Sequence, residues 1–555
     1  MTPLPSRLVY AALGGVLALG MAVRFYGLTY GLPYIYNADE AQVIFRALGL
    51  GTGDLNPHFF HWPASPLIYA SFALFGAYYV VGTALGAFHS LQDFAQLVIA
   101  DPSALVILAR GMVAFVGTVS VYMNYTLGRR LFGSHGVGLA AALLLALAPL
   151  HATWSHFTLA DVPMVLGIQL FLLACHLVWE RGQLRYYLLA GAALGLTTSL
   201  KYSGAMSFPA LLAAHLARYG QALSFRNKAH LWTGLAAAAA VVAFVVATPF
   251  SVLDFSAFRR DLSYITSYVY TGQPWATPSA PAGLDVVMSA LPQALGAALT
   301  IVSLAGVAFA LYRKSVADVI LLAGLLFVYL TIALARTLFV QYALPLLPFL
   351  TLLAARATVE ALGRLRTTPR LRYAVAGAGI VVLVAQPFAQ VARYDYSLTR
   401  TDTRTEAKEW IETNIPAEAK VLMDGGRDFF TVSPPLRYSR AGVERRIREA
   451  RRDEPGRVRY WETLLQTTGN GGYDLYPIQG DVFHRTVPQL REEGFQYVVL
   501  SSDILNSIVT GKALQWDPQA DILYRSLQQD ARLLKTFVPE PLQPGPALWV
   551  YQIGS

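Results

Sequence analysis

Residues 136–179 read GVGLAAALLLALAPLHATWSHFTLADVPMVLGIQLFLLACHLVW. Two apolar runs, 136–153 and 162–179, flank a polar hinge, HATWSHFTLADVPM, that carries His151, His156 and Asp161. A helix that crosses a bilayer needs roughly 20 mostly apolar residues, so each run is close to a full span and the hinge is where the chain turns back. The same pattern extends in both directions. Spans are expected over 8–29, 104–127, 136–153, 162–179, 186–200, 203–218, 229–250, 285–311, 317–335, 338–355 and 373–391. A further apolar stretch, 66–88, is also long enough.

Composition agrees with this reading. The 555 residues are 55% hydrophobic and 14% charged, with mean hydropathy +0.43, whereas a soluble domain carries roughly 25% charged residues. Disorder and a purely cytosolic globule are both excluded. The formal charge of +9 does not point to nucleic acid. Residues 1–391 hold 22 Lys and Arg against 12 Asp and Glu, while residues 392–555 hold 21 against 22. The basic excess lies in the greasy part, where it reports topology. Two units follow: a membrane domain, 1–391, and a soluble domain, 392–555. The single cysteine, Cys175, lies in an apolar run, so no disulfide or Cys-based zinc site forms within the chain. The N-terminal apolar run has no small-residue cleavage site and is expected to be a retained first helix.

Basic residues cluster in alternate loops: Arg129 and Arg130; Arg181 and Arg185; Arg218, Arg226 and Lys228; Arg313 and Lys314; and Arg356 to Arg372. By the positive-inside rule these loops and Arg7 are cytoplasmic. A full crossing by 66–88 would invert Arg129 and Arg130. That stretch and its return to residue 103 are therefore expected to stay on the outer side as juxtamembrane or re-entrant helices. About eleven spans and an outward-facing soluble domain result.

The outer surface gathers the chemistry. The first outer loop, YNADEAQVIFRALGLGTGDLNPHFFHWP, holds Asp39, Glu40, His58, His61 and Trp62. The hinge brings Asp161 to the same side. Carboxylates at a membrane boundary are costly to desolvate and tend to be kept for function. Adjacent helical residues lie about 100° apart, so Asp39 and Glu40 face different partners. Asp39 is either a general base or the cap of the helix that follows. Lys201, in TSLKYSGAM, Arg259 and Arg260, in an amphipathic helix, and Arg336, at the end of a span, are basic groups that either snorkel to lipid head groups or clamp a phosphate. HFFHWP is either an aromatic belt or a sugar-stacking surface. Mid-span charges are few, chiefly Arg24 and Arg110. The acidic groups sit at the outer edge, away from the midplane where transporters bind, so surface chemistry is favoured over transport.

The order DE, GDLNPHFFHWP, SHFTLADVP, LKYSG, ALPLLPF resembles the dolichyl-phosphate-mannose protein O-mannosyltransferase superfamily, whose bacterial relatives include the lipid A aminoarabinose transferases. The resemblance covers most of 20–430. It implies a polytopic α-helical protein of the GT-C fold with a C-terminal soluble α/β domain. It also implies an inverting glycosyltransferase that takes a sugar from a polyprenyl-phosphate-linked donor to a protein, lipid or glycan acceptor, in the inner (plasma) membrane with the C-terminal domain extracytoplasmic. Asp39 becomes the base toward the acceptor, with Glu40 and Asp161 completing the acidic set. Lys201 and Arg336 would contact the donor phosphate, with Tyr202 and Tyr342 binding substrate. Many relatives have Arg-Tyr where this chain has Gln341-Tyr342, so Arg336, or Arg259 and Arg260, would stand in. Relatives differ over metal, and Asp39 and Asp161 are the ligands if Mg²⁺ or Mn²⁺ is used. An oligosaccharyltransferase with a pyrophosphate-linked donor shares the fold and is the alternative, and a transporter is the rival class.

In the soluble part, TRTEAKEWIETN is an expected helix, and AKVLMDG, FQYVVLSS and LWVYQIG are expected strands. ERRIREARRDEPGRVRYWETLL is expected as a solvated helical face, and the domain as a lid or acceptor-recognition module.

Overall fold

In lipid, a spanning segment must satisfy its own backbone, so the apolar runs fold as helices. A computed structural model describes residues 6–220, 229–272, 283–425, 431–450, 455–515 and 517–554. Arg226 and Lys228 of the basic loops, and residues 451–454 of the charged stretch, lie outside the described residues. Among the described residues, eight helices are long and apolar enough to cross a membrane. Seven match expected spans: Ser6–Phe25, Ser103–Phe132, Asp161–Arg181, Ala229–Ala247, Val316–Ala333, Val340–Arg364 and Ala374–Ser397.

The other expected spans are shorter or interrupted. The run 136–153 is helix His135–Ala146, a break, and Pro149–Trp154. The run 203–218 is a 3₁₀ segment, Tyr202–Ser207, then Pro209–Tyr219. The run 285–311 divides at Gly296 (φ 84°) ahead of Ala297–Arg313, and 186–200 is the unbroken Leu184–Leu200. Proline explains two of these breaks. It lacks an N–H and starts a helix more readily than it continues one.

Helix Ser65–Ala84, expected to stay on the outer side, also qualifies as a span by length, and its packing lies on the side of the C-terminal domain. Ala64 N donates to Leu200 O at its start. Its other partners lie at one end of the bundle: Leu105 to Val113, Ala160 and Val162. Past its far end, Phe88 and Phe94 pack on Tyr78 and Tyr79, and Gln92 donates to Gln466 of the C-terminal domain. The helix therefore starts and ends on the face that carries the C-terminal domain.

The opposite face holds the described residues of the basic loops. Helix Asp161–Arg181 (21 residues), about 30 Å long at 1.5 Å per residue, joins the two faces. At its far end Tyr219 Oη donates to Gly182 O. Nearby, Arg356 pairs with buried Asp318 and lies over Phe132.

The C-terminal domain carries a five-stranded sheet in the order β2-β1-β3-β5-β4. The strands are β1 (Lys420–Asp424), β2 (Asp474–Ile478), β3 (Tyr497–Ser501), β4 (Arg532–Phe537) and β5 (Leu548–Gln552). β1 is parallel to β2 and β3, and β5 is antiparallel to β3 and β4. The expected helix is Thr403–Asn414, and the three expected strands are β1, β3 and β5. β2 and β4 are edge strands that the sequence conceals: Pro477 interrupts one pattern, and the other exposes Leu533. The charged stretch is not simply a solvated face. Trp461 is 5% exposed under Arg446, and Tyr460 meets Phe45 edge-on.

Candidate active site

The site forms where four segments end on one face. Helix Ala38–Gly49 follows Asn37, whose Oδ1 accepts from Asp39 N (3.0 Å) and Glu40 N (3.1 Å). Asn37, not Asp39, is the cap, and this leaves the Asp39 carboxylate for other work. The two acidic neighbours part company as their spacing requires. Glu40 points inward and is 0% exposed. Its oxygens take Arg110 Nε (2.9 Å), Arg110 Nη2 (2.7 Å) and Thr158 N (2.9 Å). Arg110 also donates to the carbonyls of Leu28 (2.7 Å) and Tyr30 (2.8 Å). Glu40, expected as part of the acidic set, thus has both carboxylate oxygens already taken by these donors.

Asp39 is half-buried and lies within the field of Lys201 and Asp161. Burial raises its carboxyl above the usual range, the Lys201 ammonium opposes that rise, and the Asp161 charge adds to it. Asp161 opens helix Asp161–Arg181 with no side-chain cap before it. It receives Lys201 Nζ at 2.7 Å. Lys201 ends helix Leu184–Leu200 in an extended conformation, and its ammonium lies 5.9 Å from the Tyr342 ring centre. Phe339 meets Tyr342 edge-on at 5.6 Å and stacks on Tyr268 at 6.5 Å. Tyr268 in turn lies within the field of Asp39. Asp39, Asp161, Lys201 and Tyr342 are thus brought together against an aromatic wall.

The remaining expected residues surround this centre. Tyr202 Oη donates to Phe60 O (2.8 Å), holding the loop that precedes helix Ser65–Ala84. In that loop Trp62 and His61 both meet Phe59 edge-on, and His61 also packs on Tyr264. Burial, opposed by Asp261 and reinforced by Arg46 and Arg260, lowers the His61 pKa. His58 Nε2 lies 2.8 Å from Asp54, and its Nδ1 is 4.0 Å from Asp254. These contacts favour packing over a sugar platform for the HFFHWP segment. Arg259 and Arg260 project from helix Phe255–Thr271, and Arg260, 71% exposed, reaches Asp261 at 3.4 Å. Arg336 lies at the far end of that helix, where its backbone N donates to Val269 O.

A divalent ion fits these residues poorly. Asp161 is committed to Lys201, and among the described residues no group of three or more His, Cys, Asp or Glu converges as a ligand set. Three groups escape the sequence reading. Arg110 looks like a stray mid-span charge until Glu40 meets it, Asp261 accepts from Phe60 N (3.0 Å), and Arg404 belongs to the other domain.

Residues 92–248, which include Asp161 and Lys201, match the family model for dolichyl-phosphate-mannose-protein mannosyltransferase. No curated protein sequence matches the chain. Among solved structures, the apo oligosaccharyltransferase of Archaeoglobus fulgidus aligns at TM-score 0.52 and 12% identity, covering 93% of this chain and 72% of its own. Archaeal AglB from the same organism, with an inhibitory peptide and a dolichol-phosphate, aligns at 0.51 and 13%, covering 96% and 73%. ArnT from Cupriavidus metallidurans, bound to undecaprenyl phosphate, aligns at 0.50 and 14%, covering 99% and 98%. This multi-pass membrane chain thus shares the GT-C fold of these glycosyltransferases and is similar, over residues 92–248, to the mannosyltransferase family model.

Proposed function

We propose that the protein transfers a sugar from a polyprenyl-phosphate-linked donor to an acceptor hydroxyl, with inversion, at the outer face of the plasma membrane. The observation that carries this reading is the half-buried Asp39 facing the Asp161–Lys201 pair. The dolichol-phosphate of the AglB complex and the undecaprenyl phosphate of the ArnT complex support the donor class, and the basic loop residues on the opposite face support the orientation.

In the reaction, Asp39 takes the acceptor proton as the hydroxyl oxygen attacks the anomeric carbon. The bond between that carbon and the phosphate oxygen breaks, and the lipid phosphate leaves. Base assistance of this kind is worth typically 10²–10⁴-fold. Lys201 stands beside the aromatic wall as a preorganised positive charge for the departing phosphate, with Arg259, Arg260 and Arg336 along the approach from lipid. Asp161 fixes Lys201. Tyr342 and Tyr268 offer ring faces to the sugar. The acceptor is a protein, lipid or glycan hydroxyl, and no step uses a metal.

Mass spectrometry of lipids that copurify with the protein tests the donor. A monosaccharide on polyprenyl phosphate supports the proposal. A pyrophosphate-linked glycan replaces it with an oligosaccharyltransferase, and the absence of any lipid-linked sugar revives a transporter. With the donor so identified, Asp39→Asn is expected to abolish transfer and keep undecaprenyl phosphate binding. Wild-type turnover in that variant overturns the base assignment.

A further inference from the structure

The C-terminal domain holds the segment that leads into Asp39. Arg404, near the start of helix Thr403–Asn414, is 6% exposed and Asp402 2%. They form a two-pronged pair, Nε to Oδ1 at 2.8 Å and Nη2 to Oδ2 at 2.7 Å. Asp402 also caps that helix through Arg404 N (2.9 Å). The guanidinium so fixed does not stay within its own domain. Its centre lies 3.9 Å above the Tyr36 ring, and Nη1 reaches Tyr36 O at 3.4 Å. Nη2 donates to Tyr30 Oη (3.2 Å), while Tyr30 Oη donates to Asp402 Oδ2 (2.6 Å). Tyr36 Oη and Thr405 Oγ1 share a further bond of 2.6 Å. Tyr36 is buried and immediately precedes Asn37, the cap that sets the backbone of Asp39.

Segment 28–40 is therefore gripped by two guanidiniums from different domains. Arg110, in the membrane domain, holds Leu28 O, Tyr30 O and Glu40. Arg404, in the soluble domain, holds Tyr30 and Tyr36. A planar cation stacked on a ring and locked by a bidentate carboxylate resists rotation in a way a lysine could not. Thr403 extends the brace into the sheet domain, through N to Pro544 O (3.1 Å) and Oγ1 to Pro546 O (2.7 Å).

We infer that Arg404 is a positioning residue for the transfer reaction, acting through Tyr36 and the Asn37 cap on Asp39. The C-terminal domain is then a fixed brace of the active site and not a lid that opens. This inference rests on the proposed role of Asp39 for its kinetic consequence, but not for its structural one.

The informative variant is Tyr36→Leu, which cuts the link and leaves the Asp402–Arg404 pair whole. In the full-length purified protein it should speed amide hydrogen exchange across residues 37–49 and leave 403–414 unchanged. Undecaprenyl phosphate should bind as to wild type. With the copurifying donor, kcat should fall by about 10²-fold, since an ångström of misplacement costs on that order, and donor KM should hold. Tyr36→Phe, which keeps the ring beneath the guanidinium, should restore most of kcat. Unaltered exchange in 37–49, or a Tyr36→Leu variant with wild-type kcat, overturns the brace. If Asp39→Asn proves active while exchange in Tyr36→Leu still rises, the proposed chemistry fails and the brace stands.

Discussion

Neutralising Glu40 should loosen the site by more than an ordinary salt bridge is worth. The Glu40 and Arg110 side chains are 0% and 1% exposed. An exposed ion pair contributes about 0–1 kcal/mol, but breaking a buried one strands a charge at a cost of about 3–5 kcal/mol. Glu40→Gln leaves Arg110 with only neutral acceptors, the carbonyls of Leu28 and Tyr30 and the new amide. At about 1.4 kcal/mol per tenfold, that range predicts local opening of helix Ala38–Gly49 raised by two to three and a half orders of magnitude. Amide hydrogen exchange of that helix in the full-length protein reads this change directly. The double variant Glu40→Gln, Arg110→Gln removes both charges and should recover most of the lost protection, because the penalty lies in the orphaned charge. It should not recover activity, because neither remaining amide reproduces the forked grip that aligns Asp39. A single-variant effect of about 1 kcal/mol or less would refute the argument from burial. A double variant in which the two losses simply add would refute the argument from pairing.

Other expectations follow from the same geometry. The acid limb of the kcat/KM profile should report Asp39, whose pKa is raised by burial; activity appears as pH rises through that value. Lys201 lowers it and Asp161 raises it, so Lys201→Met should move the limb to higher pH and Asp161→Asn to lower pH. Asp424, buried at the end of β1 and bonded to Ser501 N (2.7 Å), is pushed up to about 7 by burial. Its folded form holds a proton that the unfolded form releases near pH 4, so thermal stability of the C-terminal domain should fall between about pH 4 and 7 and then level off. Asp424→Asn should flatten that slope. Gly191 and Gly195 abut the backbone of Ala236 and Ala240, leaving no room for a Cβ. Either Gly→Leu change should separate helices Leu184–Leu200 and Ala229–Ala247 and abolish recovery of folded protein in detergent, measured by size-exclusion profile.

Much of the fold is written in the sequence as hydropathy. Length and apolarity suffice for Ser103–Phe132 or Asp161–Arg181, because a spanning helix answers only to lipid. They do not suffice where Pro149 and Pro209 restart a helix, since a hydropathy window averages over a missing N–H. The expectation that Ser65–Ala84 does not cross rests on charge alone, from the position of Arg129 and Arg130. In the C-terminal domain the buried strands announce themselves as VLM and VVL, while β2 and β4 lie at sheet edges where half the pattern faces water. The site is legible by type and not by partnership. DE, Asp161 and Lys201 can be picked out singly, but nothing local says that Glu40 will meet Arg110, 70 residues away, or that Tyr36 will lie beneath Arg404.

Those partnerships are also what separate structural from reactive charge in an apolar domain. Glu40 has Arg110, Asp318 has Arg356, and Asp161 has Lys201. Each pair is closed by hydrogen bonds, which is how a carboxylate survives away from water. Among the described residues the Asp39 carboxylate makes no hydrogen bond, although its backbone is fixed by Asn37 and its neighbour is clamped by Arg110. A fold that immobilises the main chain so thoroughly, yet leaves the half-buried acid unpaired and its proton affinity raised, carries an electrostatic cost that packing does not explain. Such a cost is consistent with a group whose partner arrives from outside, as an acceptor proton would.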